Sequence, residues 1–332
     1  MRRLFLCSVS SAFAIIGSII GAGFITGKEV FEFFSKDLSL SGIYLAFICF
    51  SFAIYYFMNL SQDGVDKWVE VFVSLASIIV AGCMLSALDL LYMRMFCLSE
   101  KVKILSIITA ILLLIISLKG IGCVERFCLA TLPFVVIVLC VLCVKKIDDY
   151  KVVISPKTSL GIFKPLIYVG FNVVLSAGII KNSGEKLSPP SKIIASLITS
   201  MIICTCIFLL SLAVCKEGFL SEMPLISLFN TNKKLLKIID IITLFAIYST
   251  LASSFYTINR FGGIKLKSVY KIALFFTVIL VSEIGFAKIV ENLYPALGIL
   301  AYLFILVKCL LLTPFLKERQ ERTLLLPKSK GL

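Results

Sequence analysis

The chain has 332 residues, of which 60% are hydrophobic and only 16% are charged, and its formal net charge is +14. A soluble domain of this length has about a quarter charged and about half apolar residues, so the composition excludes a soluble protein and predicts an integral membrane protein. A nucleic-acid interface needs a contiguous basic face, and the basic residues instead stand singly in short loops or in a C-terminal cluster. We therefore expect anionic lipid headgroups, and no nucleic acid, as their partners. The cluster consists of Lys317, Arg319, Arg322, Lys328 and Lys330.

Apolar runs separated by charged or turn-forming residues predict about ten transmembrane helices in a single polytopic domain, residues 1–332. Predicted helices 1 to 5 cover residues 5–35, 40–60, 68–93, 102–119 and 125–145. Predicted helices 6 to 10 cover residues 161–182, 191–215, 236–260, 268–285 and 289–313. Residues 216–235 are amphipathic and contain Pro224, so they either lie at the surface, dip into a vestibule or form a plain connecting loop. Residues 314–332 form a basic tail.

Predicted helix 1 carries three glycines, at positions 17, 21 and 23, where it should be most helical. Each interior glycine costs a helix roughly 1 kcal/mol relative to alanine, so the pattern predicts a break near residues 21–24. An unwound turn at membrane depth is tolerated only where protein or a polar cavity receives its backbone groups. The break therefore indicates a small-molecule or ion site. The alternative is that the glycines only allow close contact between helices.

The twelve cysteines and the absence of histidine limit the chemistry. Most of the cysteines lie inside apolar runs, where a free thiol behaves as a small hydrophobe. Cys140 and Cys143 share a helix face, but no histidine is available to complete a mixed metal site. We expect no disulfide and no bound cofactor. Because the sequence also lacks a nucleophile elbow and paired carboxylates on one interior helix face, we expect that the protein is not an enzyme.

Predicted helix 6 has a second weak point, YVGFNVVLSAG, at residues 168–178. Its Gly170-Phe171 matches Gly23-Phe24 at an offset of 147 residues, and Asn172 adds a polar side chain. Five helices in each half would insert the halves with opposite topology, so residues 5–145 and 161–313 are a candidate inverted repeat. Breaks at corresponding places of two such halves are typical of transporter binding sites.

Three segments together resemble the YkvI-type family of bacterial membrane proteins: IIGAGFITGKEVFEFF in predicted helix 1, YVGFN in predicted helix 6, and GFAKIVENLYPALG between predicted helices 9 and 10. That family is similar to the LeuT-fold amino acid/polyamine/organocation (APC) transporter superfamily. The resemblance implies an all-α membrane protein with a LeuT-like 5+5 inverted repeat, in which helices 1 and 6 are broken and hold the substrate between them. It also implies a bacterial plasma membrane, and the two basic ends of the chain favour cytoplasmic termini.

The superfamily pattern can be transferred to individual positions. It implies that substrate contacts Gly21, Ala22, Gly23 and Phe24 of helix 1, and the helix 6 residues Phe171, Asn172 and Ser176 are expected to line the other side. It implies a possible sodium site formed by the carbonyls of Gly17, Ile20 and Thr250 and by the hydroxyls of Ser253 and Ser254. The alternative for the two serines is an ordinary hydrogen bond to the preceding helical turn or across helices.

Two departures from the superfamily pattern bear on the coupling ion. The stretch before the break lacks an asparagine, so a single sodium ion, or none, is expected. Predicted helix 5 has no buried lysine to replace sodium, so proton coupling would need a carboxylate. The three candidates that we considered, Asp89, Asp240 and Glu283, lie near predicted helix ends, where solvated roles are commonest.

The sequence thus predicts a secondary transporter that moves an amino acid or related small zwitterion or organic ion by sodium- or proton-coupled alternating access. The alternative is a membrane sensor on the same scaffold that binds a ligand without transporting it. The identity of the substrate, the coupling ion, the direction of transport and the oligomeric state stay open.

Overall fold

A computed structural model of the protein describes residues 2–35, 40–59, 67–96, 102–147, 163–214, 223–229, 232–260 and 268–303. Within these ranges the regular structure is entirely helical. The first half contains α1 (Arg2–Ile19), α2 (Ala22–Ile25), α3 (Lys28–Val30, continued by a π-helical turn at Phe31–Ser35), α4 (Leu40–Asn59), α5 (Lys67–Phe96), α6 (Val102–Leu118) and α7 (Ile121–Ile147). The second half contains α8 (Phe163–Leu175), α9 (Ala177–Gly184), α10 (Pro189–Val214), α11 (Pro224–Ser227), α12 (Lys233–Arg260), α13 (Ser268–Ser282) and α14 (Phe286–Leu303).

The predicted helices agree with these bounds to within a few residues wherever the structure describes them. The end of predicted helix 10, the tail 314–332 with its basic cluster, and much of the segment 216–235 lie outside the described residues. Of that segment, Pro224, Leu225 and Ile226 are buried. The amide of Leu225 donates to the carbonyl of Thr26 at 2.8 Å. The described part of this segment therefore enters the helix bundle rather than lying on its surface.

Five of the described helices are long and apolar enough to cross a membrane, and up to seven spans result if each bent pair counts as one. The bent pairs are α8 with α9, at 61°, and Ala273–Ser282 with Phe286–Leu303, at 97°. Large apolar side chains cover the outer faces of several helices, among them Phe52, Ile137, Met201 and Leu280. Such a surface fits lipid and not water. The fold is that of a multi-pass membrane protein, and the count of ten spans remains a prediction.

The interrupted first helix lies at the centre of the bundle. α1 packs against α7, α10 and α12, while α5 packs against α12 and α13. Ile15, Ile16, Ile20, Phe24 and Ile25, which lie on both sides of the interruption, are completely buried. The backbone groups freed at this point therefore face protein and not lipid.

Charged side chains join helices near the ends of the bundle, and one of them corrects the sequence analysis. Asp240 was expected in a solvated position, but it is buried and pairs with Arg94, which joins α12 to α5. Glu283 is exposed and pairs with Lys103 at 2.7 Å, in agreement with the expectation. The difference arises because the end of α5 extends alongside the beginning of α12, a contact that the sequence pattern does not reveal.

Several glycines permit close helix contacts, and Gly184 provides the clearest case. A Cβ at this position would lie 2.7 Å from the backbone oxygen of Met58 and 2.8 Å from its Cα. Both atoms belong to the backbone of α4 and cannot rotate away, so any side chain at position 184 must push α9 and α4 apart. Gly122 offers a matched control, because a Cβ there would meet nothing within 4 Å.

We expect Gly184→Ala to lower the stability of the purified protein, because overpacking of this kind typically costs about 1–3 kcal/mol. Gly122→Ala, which adds the same methyl group to an open helix position, should leave the melting temperature unchanged or slightly raised. Thermal unfolding of both variants in detergent measures the difference. Equal melting temperatures for the two variants would contradict the close contact between α9 and α4.

Candidate functional site

The first helix is interrupted at Ile20 and Gly21, within the region that its glycines predicted. The amide of Gly21 donates to the carbonyl of Ile19 at 3.0 Å. In a continuous α-helix it would donate to the carbonyl of Gly17 instead. Gly21 itself adopts an extended conformation, with φ −105° and ψ −166°, before α2 begins. The carbonyl of Gly17 thus loses its helical donor at a completely buried position and needs another one.

A side chain of α12 supplies that donor. The hydroxyl of Thr250 lies 3.0 Å from the carbonyl of Gly17 and 3.2 Å from that of Ile20. Three of the five residues of the predicted sodium site therefore lie together, but only two predicted ligand atoms do, because Thr250 contributes its hydroxyl here and not its predicted carbonyl. The approach of α7 to this point also depends on glycine, because a Cβ at Gly17 would lie 2.7 Å from the Sγ of Cys128.

Ser253 and Ser254 follow on α12 and are both buried. Among the described residues, neither serine hydroxyl bonds to the carbonyls of Gly17 or Ile20, and the Oγ of Ser253 has no hydrogen-bond partner at all. Within the described residues, Ser253 therefore makes neither the bond to the preceding turn nor the bond across helices that was the alternative to an ion-binding role. A buried hydroxyl without a partner is costly, so this side chain is available to a further ligand.

The second interruption lies at Ser176, between α8 and α9. Ser176 is completely buried, and within the described part of the chain its Oγ has no hydrogen-bond partner. The side-chain amide of Asn172 donates to the carbonyl of Tyr168 at 2.9 Å, one turn earlier. The ring of Phe171 packs against that of Tyr294, with 4.4 Å between centroids. The three predicted residues of helix 6, Phe171, Asn172 and Ser176, are thus all buried at the end of α8 and at the interruption that follows it.

The match of Gly170-Phe171 with Gly23-Phe24 does not mark equivalent points of the two helices. Gly23 follows the interruption of the first helix, whereas Gly170 lies inside α8, before its interruption. A Cβ at Gly170 would lie 3.1 Å from the ring of Tyr302, so this glycine serves the packing of α8 against α14. The weak point at residues 168–178 was predicted correctly, but the dipeptide does not locate the break within it.

Glu29 is the principal residue that the sequence analysis did not consider. Its side chain is 3% exposed, and its carboxyl occupies the position that a Cβ on Gly23 would take. The hydroxyl of Tyr168 donates to its Oε2 at 3.4 Å, which connects α3 to α8. Among the described residues no lysine or arginine pairs with Glu29, and the neighbouring Lys28 pairs instead with Glu291 of α14 at 2.7 Å. A charged residue inside a predicted membrane helix was the signal that could have identified it.

The surroundings of Glu29 are apolar and aromatic. The ring of Tyr168 packs against Phe33, Phe34 and Phe50, with centroid distances of 5.2, 5.3 and 6.4 Å. The amide of Ala22 points at the sulfur of Met84 on α5, at 3.4 Å. Two side chains of the protein itself, from Glu29 and Met84, thus contact the stretch from Gly21 to Phe24 at which a substrate was expected. Phe24 is completely buried in this arrangement.

Comparison with known proteins gives one relative in sequence. No family model matches the chain. The uncharacterized membrane protein YkvI of Bacillus subtilis (strain 168) is 21% identical in an alignment 327 positions long, which covers 89% of this chain and 93% of that protein. The similarity supports the resemblance inferred from the three sequence segments and adds no activity, because the relative is itself uncharacterized.

The solved structures with a similar fold include those of a manganese transporter. Two single-substitution variants of the manganese transporter from Eremococcus coleocola each superimpose with a TM-score of 0.53 and 13% sequence identity. Each alignment covers 91% of this chain and 78% of the transporter. At this identity the likeness concerns the fold alone, and the chain is a multi-pass membrane protein whose helices follow a course similar to that of these transporters.

Proposed function

We propose that the protein is a secondary active transporter that binds a small solute between the interruptions of α1–α2 and α8–α9 and moves it by alternating access. The observation that carries the proposal is the pair of interrupted helices, packed together inside the bundle, each with a buried polar group that helical bonding does not satisfy. These groups are the carbonyl of Gly17 and the hydroxyl of Ser176. The fold likeness to solved transporters supports it.

The segment from Ala22 to Ser35 is the proposed moving part. It is bounded by the extended Gly21, and Gly27, with φ +80°, forms a left-handed turn inside it. The contacts that hold it in the observed position include the ion pair of Lys28 with Glu291 and the hydrogen bonds from Leu225 to Thr26 and from Tyr168 to Glu29. Since hinges consist of a few residues that absorb large backbone changes, this segment could swing while α1 stays packed.

The inverted repeat of residues 5–145 and 161–313 is part of the proposal. In it, α1 with α2 and α8 with α9 are the first helices of the two halves. Ion pairs between neighbouring helices support the antiparallel arrangement. Arg94 at the end of α5 meets Asp240 near the beginning of α12, and Glu125 near the beginning of α7 meets Lys186 just after α9.

An amino acid or similar zwitterion is the proposed solute. Its carboxylate would approach the amides from Gly21 to Phe24, where the positive end of a helical segment favours an anion. In the observed arrangement Glu29 covers Gly23, so the solute must displace it. Once displaced, Glu29 would be an acceptor for the ammonium group of the solute. Ser176, buried at the opposite interruption, supplies a further free hydroxyl.

Sodium is one proposed coupling ion. Oxygen atoms are the ligands that hard cations prefer, and the Gly17 and Ile20 carbonyls with the Thr250 hydroxyl already lie together. The free hydroxyl of Ser253 suits the same site, whereas Ser254 and the carbonyl of Thr250 are supported by the sequence pattern alone. Thr250 would then turn a lone pair towards the ion instead of donating its proton to the two carbonyls.

A membrane sensor on the same scaffold is the alternative function. Both functions require ligand binding, but only a transporter accumulates its ligand inside sealed vesicles. Uptake by proteoliposomes of a solute that has been shown to bind therefore separates them, and binding without accumulation would favour the sensor.

We expect the melting temperature of the purified protein to rise with at least one of the common amino acids. A ligand at 100 times its dissociation constant stabilises the native state by about 2.7 kcal/mol. A thermal-shift screen of the amino acids, each in sodium chloride and in potassium chloride, provides the measurement. If sodium is coupled, the rise will be larger in sodium, and absence of any rise would contradict the proposed solute class.

Gly23→Leu should abolish the ligand-induced rise, because a side chain at this position takes the space between the interrupted helix and Glu29. Gly122→Leu is the matched control, since the open space beside Gly122 admits the same side chain. Both variants should be inserted in the membrane and elute as monodisperse protein. Full ligand affinity in Gly23→Leu would show that the solute binds elsewhere.

Ser253→Ala should remove the difference in melting temperature between sodium and potassium, because it deletes a proposed ligand whose hydroxyl has no other partner. Ser249→Ala is the control on the same helix, as the Ser249 hydroxyl is committed to the Ala246 carbonyl at 3.0 Å. A sodium effect of the same size in both variants would exclude Ser253 from the ion site.

A further inference from the structure

We propose that Glu29 is a proton-binding group of this transporter: its carboxyl is enclosed with a proton in the observed arrangement and releases it to water when the segment from Ala22 to Ser35 swings open. The proposal has two halves. The first half, that the enclosed carboxyl is neutral, depends only on the surroundings of Glu29. The second half, that Glu29 exchanges its proton between the two sides of the membrane, rests on the proposed function.

No positive charge compensates Glu29 in the described part of the chain. The titratable groups that face it from other elements are Cys83 of α5, Tyr168 of α8 and Tyr294 of α14, all of which are neutral in their protonated form. On its own segment, Lys28 is engaged by Glu291. Among the described residues, the titratable groups that face the carboxyl from other helices are therefore two hydroxyls and a thiol, none of which supplies a positive charge.

An ionised carboxyl in such surroundings would be very unfavourable, because an isolated charge loses its hydration without gaining a partner. In practice such a group takes up a proton instead of remaining charged. The single hydrogen bond from Tyr168, at 3.4 Å, is long and is directed to one oxygen only. It does not replace the several donors that a buried carboxylate needs.

The position of Glu29 links its proton to the motion of the bundle. The carboxyl rests against Gly23, directly after the first interruption, and contacts α8, which carries the second interruption. When the segment moves away from α8, the carboxyl leaves its aromatic surroundings and meets water. The O–H bond then breaks heterolytically, the proton passes to water and Glu29 becomes a carboxylate. Re-enclosure without a solute requires that the carboxylate first regain a proton from water, because no ammonium group then compensates it. Each return of the empty transporter can therefore carry one proton.

Close packing around the carboxyl favours a proton over a metal ion as the bound species. The carboxyl fills the space beside Gly23, and the Tyr168 ring that contacts it is itself packed against three phenylalanines. Within the described residues there is no group of three or more cysteine, aspartate or glutamate side chains that could hold a metal ion. A proton adds no volume and needs only the one carboxyl.

The direct test is infrared difference spectroscopy of the purified, ligand-free protein at neutral pH, in water and in D₂O. We expect the carbonyl band of a protonated carboxylic acid that shifts in D₂O, is lost in Glu29→Gln and persists in Glu283→Gln. Glutamine matches glutamic acid in shape, so Glu29→Gln should fold, and gel filtration verifies this. A wild-type protein without such a band, or a band that persists in Glu29→Gln, would overturn the proposal.

Tyr168→Phe supplies a second variant that tests the assignment without deleting the carboxyl. Loss of the hydrogen bond from Tyr168 should move the band to higher frequency while preserving its intensity. An unchanged frequency would show that the band belongs to a different carboxyl, and the assignment to Glu29 would fail.

Uptake by proteoliposomes tests the second half of the proposal, the exchange of the proton across the membrane. The solute used as the probe is an amino acid identified by the thermal-shift screen. An imposed proton gradient should increase its uptake several-fold in the wild type and in Glu283→Gln, and should have no effect in Glu29→Gln. Gradient-driven uptake that persists in Glu29→Gln would overturn proton exchange by Glu29. If the wild type accumulates no amino acid under any gradient, the proposed function and the exchange step both fail, while the infrared result still decides whether Glu29 holds a proton.

Discussion

The need to satisfy backbone groups inside an apolar bundle governs the structure around the first helix. Once the helix is interrupted at Gly21, the carbonyl of Gly17 has no intrahelical donor, and neither lipid nor an apolar neighbour can provide one. Thr250 of α12 meets this requirement through its hydroxyl. The same requirement explains why the interruption lies at the centre of the bundle, between α7, α10 and α12, where other helices can reach it.

The two interruptions are satisfied to different degrees, and this difference indicates where ligands would act. At the first, Thr250 bonds to both freed carbonyls, although Ser253 next to it on α12 has a hydroxyl with no partner. At the second, the hydroxyl of Ser176 has no partner in the described part of the chain. Glu29 lies beside the first interruption and contacts Tyr168 of α8, and within the described residues its carboxyl accepts one long hydrogen bond. Buried polar groups that the protein leaves incompletely bonded are places where an ion, a solute or a proton can bind with a net gain.

Sequence patterns located the helices and the weak points but assigned some residues incorrectly. Glycine content and apolar length are local properties, so they predicted the break near residues 21–24 and the weak point at 168–178. The resemblance to the superfamily also implied that Thr250 lies near Gly17, although the atom that contacts the Gly17 carbonyl is its hydroxyl and not its carbonyl. The prediction failed for Asp240, which pairs with Arg94, and it omitted Glu29, because the partners of both acids come from helices distant in sequence.

Composition and glycine spacing by themselves determined that the chain is a helical membrane protein whose first helix cannot continue through Gly21. The first conclusion follows because an apolar chain of this length is stable in lipid, and the second because glycine loses the most backbone entropy in a helix. Tertiary structure alone decided that the carboxyl of Glu29 rests on Gly23 beneath Tyr168, and that Lys28 is drawn away to Glu291. The physical reason is that the environment of a charge depends on which distant helices surround it, and the order of residues along one helix contains no record of those neighbours.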